Sequence, residues 1–150
     1  YGERHFVKDA VNAGVDGVII PDLPPEEAGG IIKSSRQHGL ATIFLVAPTS
    51  THERIKKIVS SCTGFVYYVS ITGITGSGLL LEKKFKQHIS TVKKMAGKPV
   101  AVGFGVSNPE DAKTIALSAD GVIVGSAIVK QLYEHPDSAE KFIKQLREAI

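Results

Sequence analysis

Apolar positions along this chain follow two patterns. Short continuous runs occur at 17–20 (Gly-Val-Ile-Ile), 42–46 (Thr-Ile-Phe-Leu-Val), 65–70 (Phe-Val-Tyr-Tyr-Val-Ser), 99–102 (Pro-Val-Ala-Val) and 121–124 (Gly-Val-Ile-Val). Between them apolar residues recur at helical spacing. Continuous runs bounded by Gly and Pro predict strands covered on both faces, as in a parallel sheet. The intervening stretches predict helices. The first covers 6–13 and stops at Gly14. The second starts at Pro25, with Glu26 and Glu27 at its positive end, and runs to His38 before Gly39. Thr51 caps a helix through Val59. Another spans Glu82 to Met95 and closes at Gly97. Ser107 or Asn108 caps the helix from Pro109 to Leu117. A short helix (Ala127 to Tyr133) and a last one (Ser138 to Ile150) complete the chain.

Strand and helix alternate at a spacing of about 25 residues, which leaves a doubly wound open sheet or a (β/α) barrel. The loops discriminate. No strand is followed by the G-x-G-x-x-G turn of a dinucleotide-binding sheet. The last two strands instead end in Gly103-Phe104-Gly105 and Gly125-Ser126, the latter opening a short extra helix. That is the arrangement of the phosphate site after strands 7 and 8 of a parallel (β/α)8 TIM barrel. Counting back makes the runs strands 4–8, with strands 1–3 absent, so residues 1–150 read as a single partial TIM-barrel domain. A whole barrel needs about 250 residues. The opening Tyr1-Gly2-Glu3-Arg4-His5 is neither a signal peptide nor an initiator sequence and points to chain upstream. Open sheet edges imply that the chain alone aggregates or pairs with a second copy.

Composition narrows the class little. The chain is 43% hydrophobic and 22% charged with a net charge of +3, and its basic residues are dispersed, against a nucleic-acid reader. No apolar run is long enough for a membrane span. The single Cys62 precludes an internal disulfide and reads as a buried structural residue, consistent with a reducing, cytoplasmic compartment.

The candidate chemistry lies at strand ends. Gly125 lets an anion approach the unpaired N–H groups of a helix start, and the Ser126 hydroxyl can donate to it. The plainer reading makes Ser126 an N-cap. Gly105 offers a second bare N–H, with Phe104 facing the apolar part of a ligand or turned into the core. Thr72-Gly73-Ile74-Thr75-Gly76-Ser77-Gly78 suits a mobile lid but is not a P-loop, since no Lys follows at the required spacing. Tyr67 and Tyr68 are adjacent, so one faces the barrel interior and the other the helices. Asp22, before Leu23-Pro24-Pro25, is a turn former or a catalytic carboxylate. The five histidines fall on helices and turns, without metal-ligand spacing.

Together these stretches resemble the tryptophan synthase α subunit family. Gly14-Val15-Asp16-Gly17-Val18-Ile19-Ile20-Pro21-Asp22-Leu23-Pro24, Tyr67-Tyr68-Val69-Ser70 into Gly73-Ile74-Thr75-Gly76, Gly103-Phe104-Gly105-Val106-Ser107, and Gly121 through Val129 carry the likeness. It covers the whole chain but only the last five βα units of that family's barrel. The resemblance implies a lyase of tryptophan biosynthesis that cleaves indole-3-glycerol phosphate, by a retro-aldol reaction, to indole and glyceraldehyde 3-phosphate. It implies a β-subunit partner in an α2β2 assembly, with pyridoxal phosphate in that partner and no cofactor in this chain. The family's phosphate contacts match Gly76, Gly105, Gly125 and Ser126. Its indole pocket matches Tyr67, Thr75, Phe104, Ile19 and Leu45. Its mobile sixth loop matches 70–78.

The family's two catalytic carboxylates lie upstream of Tyr1, so no residue here is assigned to acid–base catalysis. Two other readings stay open. One is a half-barrel module that holds a phosphate ester without turnover. The other is a different phosphate-binding barrel enzyme, against which the 67–78 stretch argues.

Overall fold

A computed structural model describes residues 1–70, 79–103 and 105–150, with backbone only at 79–82. Its elements run α1 (Glu3–Asn12), β1 (Gly17–Ile19), α2 (Gly29–His38), β2 (Ala41–Ile43), β3 (Leu45–Val46), α3 (His52–Ser61), β4 (Val66–Val69), α4 (Leu79–Ala96), β5 (Val100–Gly103), α5 (Pro109–Ala116), β6 (Gly121–Ile123), α6 (Ser126–Glu134) and α7 (Pro136–Glu148). Among the described residues the strands pair in parallel, as β1-β2 and as β3-β4-β5-β6. This is the expected alternation of parallel strands and helices.

The second apolar run divides at Phe44, which was not expected. Up to Ile43 it pairs with β1; from Leu45 it pairs with β4. At the crossover the Phe44 N–H leaves the ladder and points to Cys62 Sγ at 3.3 Å, while its carbonyl accepts from Tyr67 N–H at 3.1 Å. Beside β2 the residues before β4 take over the pairing. Thr63 Oγ1 accepts from Thr42 N–H at 2.9 Å, and the Thr42 hydroxyl donates to Ser61 O at 2.8 Å. Cys62 is thus buried beneath the strand, and burial pushes its thiol pKa up.

Helix starts also differ from expectation. α2 begins at Gly29 rather than Pro25. Residues 25–27 form a separate turn, closed by Glu27 and Ala28 N–H donating to Pro24 O at 3.0 and 3.1 Å. Glu26 is held there by Arg54 of α3, whose guanidinium keeps its carboxyl below the ordinary value. Pro136 rather than Ser138 opens α7, where its missing N–H costs nothing. α4 begins at Leu79, before the expected Glu82.

The core lies between strands and helices. Val66, Tyr68, Val100 and Val102 are no more than 1% exposed. They share one cluster with Ile55, Ile58 and Val59 of α3, Ile89 and Val92 of α4, and Ala112 and Ile115 of α5. Among the described residues no helix is long and apolar enough to cross a membrane.

Asp120 ties three elements together at the rim where strands begin. Its Oδ2 accepts from Val100 N–H at 2.9 Å and its Oδ1 pairs with Lys93 Nζ at 2.6 Å. The Lys93 hydrogen bond, aided by that of Val100 and opposed by burial, holds the carboxyl below its ordinary 3.8. A depressed folded-state pKa contributes stability above the unfolded value, and that stability is lost as pH falls through the folded one. Asp120→Asn is therefore expected to lower the melting temperature at neutral pH, with the gap from wild type closing below about pH 4. Thermal melts followed across pH check this; a gap that does not depend on pH contradicts it.

Candidate functional site

Alternation along each strand separates two faces. On β4, Tyr68 turns toward α4. Its ring meets Phe85 and His88 edge to face at 6.0 and 5.6 Å, and its hydroxyl shares a 2.8 Å hydrogen bond with His88 Nδ1. Burial pushes the Tyr68 phenol up to about 12, and desolvation lowers the His88 pKa. Tyr67 therefore takes the opposite, inward face. Its phenol lies directly over Gly103 of β5. A Cβ on Gly103 would meet the Tyr67 hydroxyl and stand 2.9 Å from both Tyr67 Cζ and Ile123 Cβ. Glycine is required there because the neighbouring strand's aromatic fills the space.

Registers Leu45↔Tyr67, Tyr67↔Ala101 and Gly103↔Ile123 assemble one wall. Val69, Gly103 and Ile123 form its level nearest the C-terminal strand ends, with Leu45, Tyr67 and Ala101 one level below. On β3 and β4 the inward Leu45, Tyr67 and Val69 are only partly buried, unlike the outward Val46, Val66 and Tyr68, whereas on β6 Ile123 and the outward Val122 are both partly buried. The wall is apolar apart from the phenol, so it suits a flat apolar group with one polar handle.

Gly105 and Gly125 sit two residues beyond the paired Gly103 and Ile123, at a common rim. Gly105 has φ +78°, a conformation that L side chains rarely adopt. The two helices that follow begin differently. α5 is capped by Asn108, whose Oδ1 accepts from Asp111 N–H at 2.9 Å, and Glu110 and Asp111 occupy its first turn. Its positive end already faces its own carboxylates. α6 has Gly125 at the N-cap, no side-chain cap and no acidic residue in its first turn. A Cβ on Gly125 would meet nothing within 4 Å. Ser126 is thus the first helical residue and not the N-cap, which leaves its hydroxyl outside the capping role. Ile128 and Val129 N–H donate to Gly125 O at 3.0 and 3.2 Å, whereas the N–H groups before them have no acceptor within the helix. An exposed, uncapped helix start at the rim that also carries Gly105 is chemically suited to a phosphate dianion.

Of the other candidates, Ile19 lies on the inward phase of β1 and is 42% exposed. Asp22 is exposed in the turn after β1. Ser70 is buried, its N–H donating to Gly103 O at 2.8 Å. Thr75, Gly76, Phe104 and the rest of the expected lid lie outside the described residues. Sequence reasoning overlooked Ile123 and placed Gly103 just past the end of its strand, whereas it is the last residue of β5. Its two-residue phase with Ala101 and Gly121, opposite Tyr67, was the available signal.

A family model described as the tryptophan synthase alpha chain matches residues 1–150. The tryptophan synthase alpha chain of Geobacter sulfurreducens is 47% identical across 100% of this chain and 59% of its own length. That of Methanocaldococcus jannaschii is 50% identical across 91% of this chain and 48% of its own. The Campylobacter jejuni tryptophan synthase subunit alpha superposes with a TM-score of 0.89 at 36% identity, covering 97% of this chain and 59% of that one. A chain of M. tuberculosis tryptophan synthase, in an open form with BRD0059 bound, superposes with a TM-score of 0.88 at 38% identity, covering 100% and 56%. The architecture is therefore a portion of the parallel (β/α) TIM barrel of those structures. The chain spans about half to three-fifths of the length of these relatives. On the match over its full length, the chain belongs to the tryptophan synthase alpha chain family.

Proposed function

We propose that the protein containing this chain is a lyase of tryptophan biosynthesis, cleaving indole-3-glycerol phosphate to indole and glyceraldehyde 3-phosphate. In this reading residues 1–150 are one partial barrel domain that supplies the phosphate and indole subsites. The observation that carries it is the uncapped, acid-free start of α6 at Gly125-Ser126, beside Gly105. Backbone N–H groups at 105, 125 and 126 and the Ser126 hydroxyl hold the phosphate. Tyr67 and Leu45 flank the indole, with Phe104, Thr75, Gly76 and Ile19 assigned to the same subsites by family likeness.

Retro-aldol cleavage moves protons onto the indole ring and off a glycerol hydroxyl, so it needs acid–base groups. The described inward positions of β1–β6 carry no carboxylate. The buried, outward-facing Tyr68 cannot reach a ligand on the other face. These residues bind and orient, which lowers the barrier by fixing the substrate against groups supplied elsewhere in the protein. The same absence keeps a second reading, in which a phosphate ester is held without turnover. The partner in the first reading is a tryptophan synthase β subunit, carrying pyridoxal phosphate in its own site, and the setting is the cytoplasm.

Two measurements test this. A protein extended upstream to the length of its relatives is expected to release indole from indole-3-glycerol phosphate, faster with a β subunit present. No indole under either condition sinks the lyase reading. In calorimetric titration with glycerol 3-phosphate, Gly125→Leu fills the open space above α6 and is expected to weaken binding about tenfold or more, a loss of at least ~1.4 kcal/mol. Cys62→Ala, remote from the rim, leaves affinity unchanged. Equal losses would mean that the phosphate binds elsewhere.

A further inference from the structure

We propose that Asp111 is a positioning residue for the anion loop after β5, fixing the direction of the Gly105 N–H; this rests on the phosphate reading above. Asp111 is buried, at 7% exposure, on the first turn of α5. One oxygen, Oδ2, accepts from Ser107 N–H at 3.1 Å, Ser107 Oγ at 2.9 Å and Asn108 Nδ2 at 2.9 Å. Asn108 Oδ1 in return accepts from Asp111 N–H at 2.9 Å.

An ordinary capping box closes on the backbone N–H of the N-cap residue itself. Here the carboxylate reaches one residue further back, to Ser107, which lies outside the helix. The extra reach does little for the helix and much for the loop. Gly105 stands at φ +78°, two residues before Ser107, and Val106 between them is buried. The chain from Gly105 to α5 is thus held by an apolar anchor at 106 and a charged clamp at 107. A glycine in the left-handed region is intrinsically free to leave it. The clamp restricts that freedom, so the Gly105 N–H keeps one heading toward the rim it shares with α6.

Electrostatics gives the inference a sign. A carboxylate close to an anion site repels the anion. If Asp111 served only to cap α5, neutralising it would leave phosphate affinity unchanged or raise it. If it positions the loop, neutralising it lowers affinity despite the removed repulsion.

The test uses the intact protein and glycerol 3-phosphate in calorimetric titration, with amide resonances of Gly105 followed in parallel. Asp111→Asn keeps the shape and one acceptor. It is expected to weaken binding on the order of tenfold and to shift the Gly105 amide in the unliganded protein. Ser107→Ala keeps the charge but removes one anchor, and is expected to weaken binding by a smaller factor while folding normally. Affinity that is equal or tighter in both variants overturns the inference. Failure of the wild-type protein to bind glycerol 3-phosphate instead overturns the phosphate reading on which it rests.

Discussion

Val66, Tyr68, Val100 and Val102 are sealed beneath the helices, and because side chains alternate along a strand, that seal decides what faces the other way. Each fully buried aliphatic side chain contributes roughly 1.5–3 kcal/mol. A one-residue slip of β4 or β5 would forfeit several such contributions at once. The inward positions are therefore held by their outward neighbours and not by their own packing. Tyr67 can lie over Gly103, partly exposed, because Tyr68 is locked against Phe85 and His88 on the opposite face. The inward wall needs no packing of its own to stay in register.

The same parallel register brings two loops to one rim and gives them different electrostatic endings. α5 spends its positive end on Asn108 and Asp111. α6 spends its own on nothing within its first turn. Neighbouring helices with similar lead-in glycines thus divide the work, one bracing a loop and the other presenting bare N–H groups to solvent. At the opposite rim Asp120 joins α4, β5 and β6 through Lys93 and Val100. Charge at the start of the strands holds elements together, whereas the helix start at the end of β6 carries no acidic residue in its first turn.

Much of this was legible in the sequence. Among the described residues, continuous apolar runs and helical spacing located the strands and helices, except that one run, 42–46, holds two strands, and the terminal glycines marked the strand ends. The unbroken runs that announce a parallel sheet also hide which face is which, because both faces are apolar. The choice between Tyr67 and Tyr68 therefore needed the contacts to α4. The break at Phe44 depends on a change of pairing partner, from β1 to β4, that no local pattern encodes. Helix starts moved for similar reasons. Arg54 pins the 25–27 turn apart from α2, and Gly125 takes the cap position that the type of side chain at Ser126 suggested for that residue. Asp111 escaped notice because its bonds reach back past the cap to Ser107, and its burial is a property of the folded loop.

Whether phosphate is held by backbone N–H groups at the β5 and β6 rim is decided by amide chemical-shift mapping during titration with glycerol 3-phosphate. The largest, saturable shifts are expected at Gly105, Gly125, Ser126 and Ala127, with Ile55 and Val100 unmoved. Saturable shifts centred on any other part of the chain, with the α6 start unaffected, would contradict binding at that rim.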